Sequence, residues 1–441
     1  MNTMFFRRIL LTGSLIVFLG IYAIAQVSAL QTQLENLKEV VSVKKIDNHT
    51  FFNETFEIMV EQLLDHKNPA AGKFSQRVFL SDFNKYSPVV FVTEGYSADY
   101  ASHSTYINEL SEILQANQLV VEHRYFGQSI PNDKNWEYLT IENASSDLYQ
   151  IEQIFKKVYN NKNKWIATGI SKGGQATIAF KAFYPNAVDI WIPYVGPVNF
   201  AVEDKRMQEH ISKVGTAACR NKVEQFQLSV LKSRDAIQPL FDSLITANKY
   251  TFHINNQAVL DYCVLEYSFA FWQWGTDCNS IPADSVGARE LFNHLVKISD
   301  PDYFDIEKTA SIKAFFIQAA KEFGYYSYNT KPFQTYLTIP SSKGYINEVF
   351  LADEPPFKFN KKTSKLIAKT IQKDGENLFL IYGEYDPWTA GGIIPGKKCK
   401  AVRFVAPNDS HRTRIKTMSY AQRAELYMLL EPLLESEIKR N

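Results

Sequence analysis

Apolar residues along this chain fall into two patterns, short continuous runs and longer stretches with helical spacing. The runs Val89-Val90-Phe91-Val92, Leu119-Val120-Val121, Trp165-Ile166-Ala167-Thr168, Leu378-Phe379-Leu380-Ile381-Tyr382 and Ala401-Val402-Arg403-Phe404-Val405 show little or no polar alternation. Runs of that length predict strands buried on both faces, as in a parallel sheet. Between them the period lengthens. Leu148, Ile151, Phe155 and Val158 share one face of a helix expected over 145–159, and a second helix through Ala176, Ile178, Ala179 and Phe180 stops at Pro185. Strand and helix alternating from 55 to 200 predict an α/β architecture. From about 205 to 325 the pattern turns helical and aromatic, interrupting the body before the strand at 378. An insertion there leaves the sheet at its carboxyl end, where open α/β folds bind ligands, and is read as a lid.

The strand at 165–168 runs into Gly169-Ile170-Ser171-Lys172-Gly173, with a helix directly after it. Glycines two residues to either side of a serine suit a strained strand-to-helix turn that lifts the hydroxyl above the sheet. By itself the motif is equally an ordinary Gly-rich turn. A serine hydroxyl is a weak nucleophile and needs a base oriented by a carboxylate. Asp386, in Gly383-Glu384-Tyr385-Asp386-Pro387-Trp388, ends the strand at 378–382, and His411 follows the strand at 401–405. His411 is the one histidine after Asp386. Alone, Asp386 reads as an Asp-Pro turn and His411 as a loop histidine. The order Ser, Asp, His on successive strand ends is that of the α/β-hydrolase fold, and Ser171, Asp386 and His411 are the expected catalytic residues.

Glu122-His123-Arg124-Tyr125-Phe126-Gly127-Gln128-Ser129-Ile130-Pro131 resembles a signature of the serine exopeptidases that include prolylcarboxypeptidase and dipeptidyl peptidase II. Gln62-Leu63-Leu64-Asp65-His66, Phe74-Ser75-Gln76-Arg77-Val78, Glu322-Phe323-Gly324-Tyr325-Tyr326 and Asp386-Pro387-Trp388 extend the likeness. Lys172 after the serine and the loop Thr93-Glu94-Gly95-Tyr96 are more similar still to the PS-10 tripeptidyl aminopeptidase family. That resemblance implies a secreted serine exopeptidase releasing short peptides, tripeptides by the family's name, from free N-termini. A prolyl-specific dipeptidyl peptidase or carboxypeptidase is the near alternative, and an esterase of the same fold a more distant one.

In this fold an oxyanion is held by the amide after the nucleophile, here Lys172, and by one in the loop after Val92, here Gly95 or Tyr96. A carboxylate in that loop opposes the developing negative charge, so Glu94 calls for a compensating benefit, and binding a substrate's terminal ammonium supplies one. The other reading of Glu94 is a structural ion pair with Arg124. Glu322 is a second candidate for the ammonium, or else a structural carboxylate. Trp272 and Trp274, with Phe269 and Phe271, either line a substrate pocket or form the core of the lid.

The 441 residues are 45% hydrophobic and 22% charged with a net charge of +1, enough for a large core and without the clustered cations that nucleic acid needs. Peptides are the expected partners. No cofactor is expected, and Cys219, Cys263, Cys278 and Cys399 lie too far apart for short-spaced zinc motifs. Three full pairings are open to them, free thiols are the alternative, and Cys263 with Cys278 is the expected bond. Arg7 and Arg8, then an apolar run from Ile9 to Ala25 and the cleavage candidates Ala23-Ile24-Ala25 and Val27-Ser28-Ala29, predict a signal peptide over 1–29. Export to the periplasm or exterior follows, with membrane contact only if the segment stays uncleaved. The expected order is then a flexible lead-in (30–52), the body (53–204), the helical lid (205–325) and the rest of the body (326–441).

Overall fold

The computed structural model describes residues 27–159, 163–283 and 285–438. One sheet is built from β1 (Val40–Ile46), β2 (Glu54–Leu63), β3 (Lys73–Asp82), β4 (Val89–Thr93), β5 (Asn117–Val121), β6 (Trp165–Ile170), β7 (Ile190–Tyr194), β8 (Phe379–Gly383) and β9 (Val402–Ala406). Their order in space is β1-β2-β3-β5-β4-β6-β7-β8-β9. The first three strands form an antiparallel meander joined antiparallel to β5, and from β5 to β9 every neighbour is parallel. This is an α/β-hydrolase sheet, and each continuous apolar run read from the sequence is one of its strands.

The helices before the insertion are α1 (Ala29–Glu35), α2 (Glu109–Leu114), α3 (Ile141–Phe155) and α4 (Lys172–Phe183). Because successive strand side chains point to opposite faces, Phe91, Trp165, Ala167 and Leu380 join one core with Ile151 of α3 and Ile178 of α4. Val90, Val92, Ile166 and Ile381 join a second core with Leu110 of α2.

Between β7 and β8 the chain forms α5 (Arg206–Ile211), α6 (Ala217–Lys232), α7 (Arg234–Asn248), α8 (Asn256–Trp274), α9 (Ala288–Ile298), α10 (Ile306–Ala310) and α11 (Lys313–Gln318). It returns through α12 (Lys361–Lys373), which packs on the α4 face, and the chain closes with α13 (Tyr420–Leu434) on the other. The insertion has its own core, including Phe241, Val264, Leu295 and Phe316. It is longer than the expected 205–325. Tyr326, Tyr328, Phe333, Tyr345 and Phe350 belong to the same core, so the body resumes at α12 rather than at 326. The short turns after 325 lack a helical period, which hid them in the sequence.

The lead-in also differs from expectation. Residues 30–52 contain most of α1 and all of β1, which pairs antiparallel with β2. β1 is an edge strand with no fully buried residue, so its composition is polar. Of the expected leader, residues 1–26 and the first cleavage candidate lie outside the described residues; at the second, Ser28 caps α1 by accepting from the N–H of Gln31. Among the described residues no helix is long and apolar enough to cross a membrane.

Candidate active site

β6 delivers Ser171 at its carboxyl end, and α4 begins at the next residue. Ser171 has φ 57° and ψ −118°, a region that a side chain disfavours. The turn is held from both sides. The Ser171 N–H donates to the Tyr194 carbonyl at 2.9 Å, and the Thr93 hydroxyl donates to the carbonyls of Thr168 and Gly173 at 3.2 and 3.0 Å. A Cβ on Gly169 would lie 2.4 Å from the Gly173 oxygen, and one on Gly173 would lie 2.6 Å from the Thr93 oxygen, so strand and helix meet only if both positions are glycine.

Asp386 follows β8 and is fully buried. Its Oδ1 accepts from the Trp388 N–H at 3.1 Å, and its Oδ2 lies 2.7 Å from His411 Nδ1 on the loop after β9. The acceptor at Nδ1 favours the tautomer with its proton there, leaving Nε2 free to accept. Ser171 and His411 line one cavity of about 840 Å³. Its other walls include Glu94, Tyr96 and Tyr100 from the β4 loop, Glu266, Gln273 and Trp274 from α8, and Tyr303, Phe316 and Tyr326 from the rest of the insertion.

Lys172 is not a surface charge. Its side chain is 2% exposed, its Nζ donates to the Gly95 carbonyl at 2.6 Å, and it sits over the rings of Tyr96 and Phe126 at 5.5 and 5.0 Å. Burial pushes its pKa well below the usual lysine range, with Glu94 opposing the shift. As the first residue of α4, Lys172 has a backbone N–H without an intrahelical partner. Of the two loop amides, that of Gly95 donates to Glu94 Oε2 at 3.3 Å, while the N–H of Tyr96 makes no hydrogen bond among the described residues.

The Glu122 to Ser129 signature surrounds this loop rather than touching the cavity. Glu122 accepts from the amides of Ala98, Gln128 and Ser129 at 2.8 to 3.0 Å and pairs with Arg77. Arg124 is spent on Asp147, with two bonds of 2.6 Å, and so does not pair with Glu94. Glu94 Oε1 instead accepts from the Tyr100 hydroxyl. Burial, the largest influence, pushes Glu94 up to about 7.

Two expected substrate contacts are elsewhere. Glu322 lies against the start of α3, accepting from the Ile141 N–H at 2.5 Å and the Thr363 hydroxyl at 3.0 Å. It satisfies an open helix terminus, borders a separate surface pocket, and is not a wall of the Ser171 cavity. Trp272 packs against Gly215 and Tyr385 and lines a smaller cavity of about 240 Å³. Helical geometry explains this. Glu266, Ala270, Gln273 and Trp274 fall on one side of α8, facing the large cavity, whereas Leu265, Ser268, Phe269 and Trp272 fall on the other. Trp274 does face the site, edge-on to His411 with centroids 5.8 Å apart.

Sequence reasoning missed Glu266. The available signal was an acid within the apolar stretch Ala258–Trp272, with no lysine or arginine three or four residues away. The expected disulfide is also corrected: Cys219 pairs with Cys278, while Cys263 is a buried free thiol inside α8 and Cys399 is free. Among the described residues no cluster of His, Cys, Asp and Glu is arranged to hold a metal ion.

A sequence model of the family described as PS-10 peptidase S37 matches residues 33–428. This chain belongs to the PS-10 peptidase S37 family. It is a serine peptidase of the α/β-hydrolase fold. The chain is 29% identical over 414 residues to the prolyl tri/tetrapeptidyl aminopeptidase of Streptomyces mobaraensis, covering 91% of this chain and 85% of that protein. It is 26% identical over 197 residues to the human lysosomal Pro-X carboxypeptidase, covering 41% and 39% of the two. Among solved structures, the proline iminopeptidase of Mycobacterium smegmatis aligns over 89% of this chain and 99% of its own at 11% identity, with a TM-score of 0.42.

Proposed function

We propose that this chain is an exported serine aminopeptidase that releases short peptides, with tripeptides the main product, from substrates with a free N-terminus. The observation carrying the proposal is one walled cavity that holds Ser171, His411 and two carboxylates, the half-buried Glu94 and the buried Glu266. His411 takes the proton of Ser171 as the hydroxyl attacks a peptide carbonyl, and Asp386 holds the imidazole and stabilises its charged form. The Lys172 and Tyr96 amides hold the oxyanion, and water then hydrolyses the acyl-enzyme. The insertion acts as a lid that admits peptide chains and excludes folded proteins. The Cys219–Cys278 bond fits export, since disulfides persist in oxidising compartments.

Paired peptides with free and acetylated N-termini test this reading, with the products identified by mass spectrometry. Free peptides should be cut at least a hundredfold faster, the order expected when a buried carboxylate loses its ammonium partner. Equal rates would make the enzyme an endopeptidase or esterase. A carboxypeptidase reading has one observation in its favour, Arg412 and Arg414 on the same cavity wall. Amidating the substrate's C-terminus would abolish that activity and leave an aminopeptidase unaffected.

A further inference from the structure

We infer that Glu266 of α8, and not Glu94, receives the substrate's terminal ammonium, an assignment that rests on the aminopeptidase reading above. Glu266 is 7% exposed and lines the Ser171 cavity from the insertion. The hydroxyls of Tyr326 and Tyr328 both donate to its Oε2, at 2.7 and 2.8 Å. Its Oε1 accepts no hydrogen bond from the described residues, and no lysine, arginine or histidine among them forms an ion pair with Glu266. A buried carboxylate is ordinarily paired with a cation, because desolvation is otherwise uncompensated. Here the protein supplies two neutral donors to one oxygen and leaves the other without a partner on a cavity wall. The missing charge is one that a ligand brings. Tyr325, Tyr326 and Trp388 line the same cavity with ring centroids within 5.4 Å of one another, and aromatic faces also attract an ammonium.

Burial pushes Glu266 up to about 7, with only the two tyrosine hydroxyls drawing it back. Glu94 is different: Lys172 lies close enough to favour its ionised form, and both its oxygens are engaged, by the Tyr100 hydroxyl and the Gly95 N–H. Position separates the two as well. Glu94 adjoins Gly95, which packs on Lys172, the residue after the nucleophile. An N-terminus three residues from the cut lies about 10 Å away along an extended chain, at 3.3 to 3.6 Å per residue. Glu94 is tied to the oxyanion loop by its bond to the Gly95 N–H, whereas Glu266 reaches the same cavity from α8. Glu94 is a positioning residue for the oxyanion loop.

The test compares kcat/KM on free and N-acetylated tripeptidyl anilides for wild type, Glu266→Gln and Glu94→Gln. Fluorophosphonate labelling of Ser171 reports that each variant is folded. Glu266→Gln should lose about a hundredfold or more on free peptides, so that the ratio of free to acetylated falls to about three or below. Glu94→Gln should lower kcat on both substrates by a similar factor and preserve the ratio. A Glu266→Gln enzyme that keeps the wild-type ratio, or a ratio lost only in Glu94→Gln, overturns the assignment. If wild type itself shows no ratio, the aminopeptidase reading fails, and that is visible without any variant. Should Glu266→Gln fail to label, Glu266→Asp replaces it. Withdrawing the carboxylate by one methylene should cut the ratio at least about tenfold, and an undiminished ratio counts against Glu266.

Discussion

The backbone N–H of His411 donates to the carbonyl oxygen of Gln273 at 2.9 Å, so the loop carrying the proposed general base hangs from the last turn of an insertion helix. Carbonyls in the last turn of a helix lack intrahelical partners, and His411 satisfies this one. Gly275 caps α8 in the left-handed conformation at φ 67°, and a Cβ there would lie 3.0 Å from Ser410 Cβ. The insertion therefore contributes to the geometry of the site as well as to its walls.

The disulfide closes just beyond that cap, joining Cys278 to Cys219 on the first turn of α6 across 59 residues. A loop of that length corresponds to about 4 kcal/mol in the chain-entropy account. Cys278→Ser should lower unfolding free energy by about 2 to 4 kcal/mol in a denaturant titration. It should also lower kcat, because the end of α8 supports His411. Full turnover in a destabilised variant would show that the α8 cap holds without the bond.

Ser171 makes a sharper test of strain. Its φ and ψ lie where glycine is at ease and other residues cost about 1 to 3 kcal/mol. Ser171→Ala and Ser171→Gly should both be inactive, with Ser171→Gly the more stable by about 1 kcal/mol. Thermal melts compare the two directly, and residual turnover in either would move the nucleophile elsewhere.

Asp386→Asn keeps the size of the side chain and removes its charge. It favours the wrong imidazole tautomer, so kcat should fall by about ten-thousandfold, as in the comparable serine protease case. Asp386 Oδ1 also accepts from Trp388, a bond the amide oxygen can keep, so the fold should survive. Steady-state kinetics together with a melt separate lost chemistry from lost structure.

Glu266 predicts a pH dependence of stability. A carboxyl raised from 4.5 to about 7 in the folded state favours folding fully below its unfolded pKa, and that advantage is lost as pH rises through 7. Without ligand, wild type should lose about 3 kcal/mol relative to Glu266→Gln between pH 4.5 and 7.5, since each pKa unit corresponds to about 1.4 kcal/mol. Urea titrations of both proteins across that range measure the difference. A gap that stays constant with pH would place the carboxyl's titration elsewhere.

Five of the six parallel strands, all but β7, could be read because burial on both faces forces a continuous apolar run, a property of consecutive residues. The same holds for Ser171, Asp386 and His411, since each sits at the end of such a run and their order along the chain follows from the fold. β1 escaped because an edge strand exposes much of its length, so its composition reads as a linker. Residues 326–350 escaped because short turns without a period still bury Tyr345 and Phe350. The sequence by itself determined five strands of the sheet (β4, β5, β6, β8 and β9), the elbow and the order of the candidate catalytic residues, all set by local period and by backbone sterics at glycine. Only the tertiary structure decided that Cys219 meets Cys278, that Glu322 caps α3, that Lys172 turns inward beneath Gly95, and that α8 presents Glu266 and Trp274 rather than Trp272 to the cavity. Those outcomes depend on how a helix is rotated about its own axis against elements far away in the chain, and no spacing of neighbouring residues records that rotation.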